Sequence, residues 1–170
     1  MKLEYTLTED DFLHFNLFHM KNSKTAAKAL TMQRMIGPII FLACSYLFST
    51  FGDVPFAVLF TIFLIMSVIW FIFYPKYYFN FIKRHTLKMI REGKNEGLLG
   101  KHVLTMNDDS LVETTPVNET KVSWSGIQDF KEDDEFFYLY NSSISAYIIP
   151  KRAIEQPAEV KRYIEGKLAR

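Results

Sequence analysis

Between residues 35 and 74 the chain carries one charged side chain, Asp53, and from 54 to 74 every position is apolar or uncharged. Twenty-one residues of helix rise about 32 Å, enough for a hydrocarbon core of about 30 Å. Fourteen of those positions are Val, Leu, Ile or Phe, a gross insertion free energy of about −4 to −8 kcal/mol. The stretch 35–51 is shorter and holds Gly37, Pro38, Ser45, Ser49 and Thr50, so it inserts best as a partner of its neighbour; small residues let two helices approach closely. Between them, Phe51-Gly52-Asp53-Val54-Pro55 combines a flexible glycine, a turn-favouring Asp and a helix-starting Pro, which predicts a short turn between antiparallel spans.

Outside that stretch the periodicity changes. Residues 2–7 alternate polar and apolar as a half-buried strand does, and Thr8-Glu9-Asp10-Asp11 reads as an N-cap with an acidic first turn. A helix with Phe12, Leu13, Phe15, Leu17 and Phe18 follows, running into Lys21, Lys24 and Lys28. Beyond the second span, 76–91 continues as an amphipathic helix until Gly93, Asn95 and Gly97 interrupt it. From residue 98 the period is two, with strands expected at 100–106, 110–115, 120–124, 127–131, 136–140 and 144–149, each pair separated by turn-forming residues. Residues 151–170 read as a closing helix. These strands and the helix predict an antiparallel meander forming a partly open barrel, which residues 3–7 could complete as a seventh strand. The expected organisation is an N-terminal strand and helix at 1–34, a transmembrane hairpin at 35–75 with spans 35–51 and 54–74, a juxtamembrane helix at 76–97, and a β-domain at 98–170.

Charge adds orientation. Lys21, Lys24, Lys28 and Arg34 precede the first span and Lys76, Lys83, Arg84, Lys88 and Arg91 follow the second, while the turn has neither Lys nor Arg; the positive-inside rule then places both termini in the cytoplasm, with the membrane crossed twice. The start of the chain lacks the pattern of a cleavable signal peptide, so the first span is expected to direct insertion. Trp70, Tyr74, Tyr77 and Tyr78 fall where an aromatic belt meets the headgroups. The five basic residues from Lys76 to Arg91 are candidate inner-leaflet lipid contacts. A formal net charge of +1 speaks against a nucleic-acid partner. The single cysteine, Cys44, lies in the first span and has no disulfide partner within the chain.

Catalytic chemistry has little to stand on. His14 and His19 are five apart and fall on different sides of a helix, and His85 and His102 lack ligand-spaced partners, so neither a metal nor another cofactor is expected. Glu132-Asp133-Asp134-Glu135 is read as a solvated hairpin turn. With no nucleophile motif and no phosphate-cradling loop, the chain is not expected to be an enzyme.

The double span, Gly100-Lys101-His102-Val103-Leu104-Thr105-Met106, Val122-Ser123-Trp124-Ser125-Gly126-Ile127 and Tyr147-Ile148-Ile149-Pro150-Lys151-Arg152-Ala153 together resemble the YcxB-like family of bacterial membrane proteins. The resemblance implies a pleckstrin-homology-like cytoplasmic domain, a seven-stranded bent sheet capped by a C-terminal helix. It also implies structural roles for Trp124, packed in the sheet, and for Pro150, Lys151 and Arg152, which carry the last strand into the helix. Where the family often has an acidic residue after Trp-Ser, this chain has Gly126, so no carboxylate role transfers there. The expected fold class is an α+β membrane protein, a two-helix transmembrane hairpin joined to an antiparallel β-domain. The leading expectation for function is a membrane-anchored binding or regulatory protein that acts through contacts with a protein partner. Bacteriocin immunity or envelope-stress protection, known for some small bacterial membrane proteins with similar domains, and anionic-lipid binding are the alternatives. Gly37, Ser45 and Ser49 suit packing within one hairpin or against another copy, which leaves a homo-oligomer open.

Overall fold

A computed structural model describes residues 1–92 and 97–169. The expected helix break at Gly93 and Asn95 therefore lies outside the described residues. Among the described residues the fold is α+β: four α-helices and seven strands in two antiparallel sheets. The elements are β1 (Lys2–Leu7), α1 (Glu9–Asn22), α2 (Lys24–Phe51), α3 (Phe56–Glu92), β2 (Gly100–Met106), β3 (Ser110–Thr114), β4 (Glu119–Ser123), β5 (Asp129–Glu132), β6 (Phe136–Tyr140), β7 (Ala146–Pro150) and α4 (Pro157–Leu168). Two compact units emerge, one of Met1–Phe15 with Met89–Arg170 and one of Asn16–Lys88.

In the first unit the strand order is β1-β2-β3-β4 in one sheet and β5-β6-β7 in the other, neighbours in sequence pairing throughout. The N-terminal strand does join the C-terminal sheet: Lys2 pairs with Thr105 and Leu7 with Gly100. The chain thus leaves the sheet after β1, forms three helices, and returns to the adjacent strand. Where a single meander was expected, the path breaks at a 3-10 turn, Trp124–Gly126, between β4 and β5. Trp124 itself sits in that turn and not in a strand; its indole Nε1 donates to Asn107 O at 2.9 Å and its ring meets Tyr163 of α4 edge-on. A Cβ at Gly126 would lie 2.8 Å from Val122 Cγ2, so the tight turn has no room for a side chain there unless Val122 shifts.

β6 reads Phe-Phe-Tyr-Leu-Tyr and all five residues are buried. Side chains alternate faces along a strand, and both faces are covered. Phe136, Tyr138 and Tyr140 meet α1, with the Phe15 ring 5.6 Å from Tyr138 and 6.0 Å from Tyr140 and the His14 ring 5.0 Å from Phe136. Phe137 and Leu139 share the opposite face with their register partners Ile149 and Tyr147. Burying Phe15 alone contributes about 2 kcal/mol. α4 seals the unit with Val160 and Ile164, both buried. It begins at Pro157, after a separate 3-10 turn at Lys151–Ala153, so the expected helix at 151–170 is shorter. Pro157 has no N–H to donate and favours the first helical position.

In the second unit α2 and α3 are each continuous well past the apolar stretch, starting at Lys24 and ending at Glu92. Both are long and apolar enough to cross a membrane. Gly37 and Ser45 of α2 are buried while Ser49 is not, and the ideal Cβ of a residue at Gly37 would fall 2.3 Å from Trp70 Nε1. Gly37 therefore packs within its own hairpin.

Candidate functional site

Thr8 and Asp11 form a reciprocal cap at the start of α1. The Thr8 N–H donates to Asp11 Oδ2 at 2.8 Å and the Asp11 N–H to Thr8 Oγ1 at 3.2 Å, a capping box with Asp in place of the usual Glu. The same carboxylate receives a two-pronged contact from Arg152, Nη1 to Oδ1 at 2.8 Å and Nη2 to Oδ2 at 2.6 Å, and Nη2 also donates to Thr6 O at 3.1 Å. Burial pushes the Asp11 carboxyl up, but the hydrogen bonds from Arg152 and Thr8 outweigh it and hold the group below its ordinary value. Two residues before Asp11 in the same turn, Glu9 accepts from Arg91 Nε at 3.1 Å. The helix through which the chain leaves the β-unit and the helix through which it returns are thus bonded to each other, and the first is bonded to the turn after β7.

Beside this latch lies the acidic run expected as a solvated turn: Asp134 and Glu135 are exposed, while Glu132 and Asp133 are partly buried. Asp133 accepts from the Tyr138 hydroxyl at 2.7 Å and from the Glu135 and Phe136 N–H groups at 2.9 and 2.8 Å, and its Oδ2 lies 2.8 Å from His14 Nε2. Burial raises this carboxyl and the four hydrogen bonds more than reverse it; burial followed by the Asp133 contact drives the Tyr138 phenol well up. Lys151 donates to Glu132 Oε2 at 3.0 Å and to Asp133 O, and Lys161 completes the cluster on Glu132. The run does occupy a hairpin turn, but Glu132 and Asp133 face inward because α1, α4 and the turn after β7 supply cations and donors that no local pattern reveals.

The buried polar centre of the first sheet is His102, 2% exposed. Its Nδ1 lies 3.1 Å from Glu113 Oε1, which also accepts from the Tyr5 hydroxyl at 3.3 Å, and its ring stacks on Tyr5. His102 Nε2 has no partner among the described residues. Three adjacent strands are cross-linked by this triad.

Of the sequence-predicted residues, Arg152 enters the latch, Lys151 the neighbouring Glu132 cluster, Pro150 ends β7, and Trp124 lies at the separate turn against α4. Lys76, Lys83, Arg84, Lys88 and Arg91 all lie exposed on α3, but not at one depth. Lys76 follows Tyr74 by two residues, whereas Lys83 is about 14 Å and Arg91 about 26 Å further along the axis than Tyr74, and Arg91 is engaged by Glu9. Sequence reasoning missed Asp11, His14 and Asp133 as partners, and it missed Arg34. Pro75 lies inside α3, and a proline leaves the carbonyl four residues earlier without its helical donor. That carbonyl is Phe71 O, and Arg34 Nε donates to it at 2.7 Å while the guanidinium covers the Phe71 ring at 3.6 Å. The Tyr74 hydroxyl donates to Gln33 alongside at 2.8 Å. Pro75 was itself the signal for an orphaned acceptor. On the same hairpin a groove of about 470 Å³ is lined by Phe41, Met66, Ile69, Trp70, Phe73, Tyr74 and Tyr77.

Residues 107–165 match the family described as YcxB-like protein, so the chain is similar to that family from the β2–β3 turn into α4. The match includes the phrases around Trp124 and Pro150-Lys151-Arg152. No curated protein and no solved structure matches the chain.

Proposed function

We propose that the protein is a binding or regulatory module anchored at the inner face of the bacterial membrane by its helical hairpin, with both termini cytoplasmic. Its β-unit is read as pleckstrin-homology-like, because four strands and three strands in sequence order, followed by a helix, suit that plan. The observation that carries the functional reading is the outer edge of β4. It is the last strand of its sheet and pairs on one side only among the described residues, and Glu119, Thr120, Lys121 and Ser123 are exposed. An unpaired strand edge is a template for a partner's strand, and its alternating charges guard it against indiscriminate pairing.

Charge favours protein over lipid as the ligand of this unit. Met1–Phe15 with Met89–Arg170 holds twelve Lys/Arg and eighteen Asp/Glu, a formal −6, while Asn16–Lys88 holds eight Lys/Arg and only Asp53, a formal +7. An anionic surface is repelled by anionic headgroups and suits a basic protein face. Placing a photo-reactive amino acid at position 121 and irradiating native membranes should yield a cross-link to another protein; recovery of this chain alone would remove the proposal.

A further inference from the structure

We propose that the hairpin carries a binding site for one anionic phospholipid, with an acyl chain in the aromatic groove on α3 and the headgroup phosphate between Lys76, the Tyr77 hydroxyl and Arg84. The proposal rests on the hairpin lying in a bilayer. The groove is apolar along its length and ends in two tyrosines, Tyr74 and Tyr77, beyond which the helix continues without a break. At 100° per residue, Arg84 lies two turns past Tyr77 on the same face, and Lys76 borders the groove beside Phe73. Side chains on a helix lean toward its N-terminus, which for α3 is back toward the groove. The roughly 10 Å between Tyr77 and Arg84 along the axis holds the exposed Phe81 ring, stacked between Tyr77 and His85, so a phosphate would lie beside that ring on the Lys76 side, with Arg84 reaching down to it and Lys76 flanking it.

Nothing within the hairpin competes for these cations. Lys76 and Arg84 are exposed and form no ion pair among the described residues, and Asp53, the sole acid of this unit, is in the turn at the opposite end of both spans. A groove for hydrocarbon opening beside an uncompensated basic sector matches a molecule with an apolar tail and a negative head, whereas the apolar face of a second hairpin would leave those charges unmet.

Trp70 lines the groove, and Trp124, the other tryptophan, can be removed as Trp124→Phe to leave a single reporter. The full chain is reconstituted in phosphatidylcholine vesicles containing either brominated phosphatidylglycerol or brominated phosphatidylcholine at equal mole fraction. The site requires Trp70 emission to be quenched preferentially by the brominated phosphatidylglycerol, and Lys76→Gln and Arg84→Gln each to lower that preference about fivefold. Equal quenching by the two lipids, or a preference untouched by both substitutions, overturns the proposal, as does a chain that floats with vesicles yet is quenched by neither because a second copy covers the groove. Failure to float with vesicles would instead overturn the membrane reading itself. Phosphatidylglycerol retained per chain on purification of the natural sequence, read by mass spectrometry, should fall in the same two variants; an unchanged amount overturns the site independently of Trp124→Phe.

Discussion

Arg152 grips a carboxylate that is 8% exposed while remaining half-exposed itself, so the Asp11 contact is a charge-assisted fork at the edge of the core. Arg152→Ala removes the two bonds to Asp11 and the one to Thr6 O, and the unfolding free energy should fall by about 2 kcal/mol. Arg152→Lys keeps the charge without the planar fork and should recover only part of that loss; denaturant titration of the three proteins checks the order. Acid acts on the same groups. Asp11 and Asp133 are both held below the ordinary value of 3.8 in the folded state, so each contributes stability that is complete above the unfolded pKa and lost as pH falls through the lowered one. Stability should therefore decline below about pH 4, and Asp11→Asn and Asp133→Asn should each flatten that decline while lowering the plateau. The cap half of the latch is written locally, since Thr8 and Asp11 are three residues apart. The Arg152 half joins residues 141 apart, a separation at which no propensity or spacing operates.

Pro75 and Arg34 form a test at the scale of the hairpin. Restoring the N–H with Pro75→Ala returns a helical donor to Phe71 O, so Arg34→Gln should cost about 1 kcal/mol in the natural chain and much less in the Pro75→Ala background; thermal unfolding in detergent of the four proteins closes the cycle. Gly37→Leu drives a side chain into the Trp70 indole and should part α2 from α3 around that contact at a cost of about 1–3 kcal/mol, read as a lower thermal unfolding midpoint in detergent. The elements themselves were largely legible. β2 and β6 start and end where the alternation and turn residues put them, and two helices were plain from their run of apolar residues. Boundaries slipped where tertiary contacts decide: Trp124 reads as the end of a strand but belongs to the turn that hands the chain from one sheet to the other. The helix ends at Lys24 and Glu92 were extended because good helix formers on either side of the spans have no signal that says where a membrane stops.

Across the whole chain a formal +1 conceals a +7 hairpin and a −6 β-unit. Flotation of the full protein with vesicles, which on the membrane reading rests on the apolar hairpin, should weaken little with salt, whereas association of the anionic β-unit with a basic partner should weaken steeply with ionic strength; flotation and partner capture across a salt series separate the two. The connection between β1 and β2 has a consequence during synthesis. Leu7 and Gly100 are register partners, yet both helices long and apolar enough to cross a membrane are made between them. A chain that inserts both spans returns β2 to the side where β1 waits, and the sheet can close. A chain that inserts one span strands the two halves on opposite faces, and its hydrophobic strands stay open to proteases. On the proposed membrane reading the β-unit proofreads its own anchor: introducing lysines at Gly52 and Val54 to hold the turn back should abolish protease resistance of the β-unit.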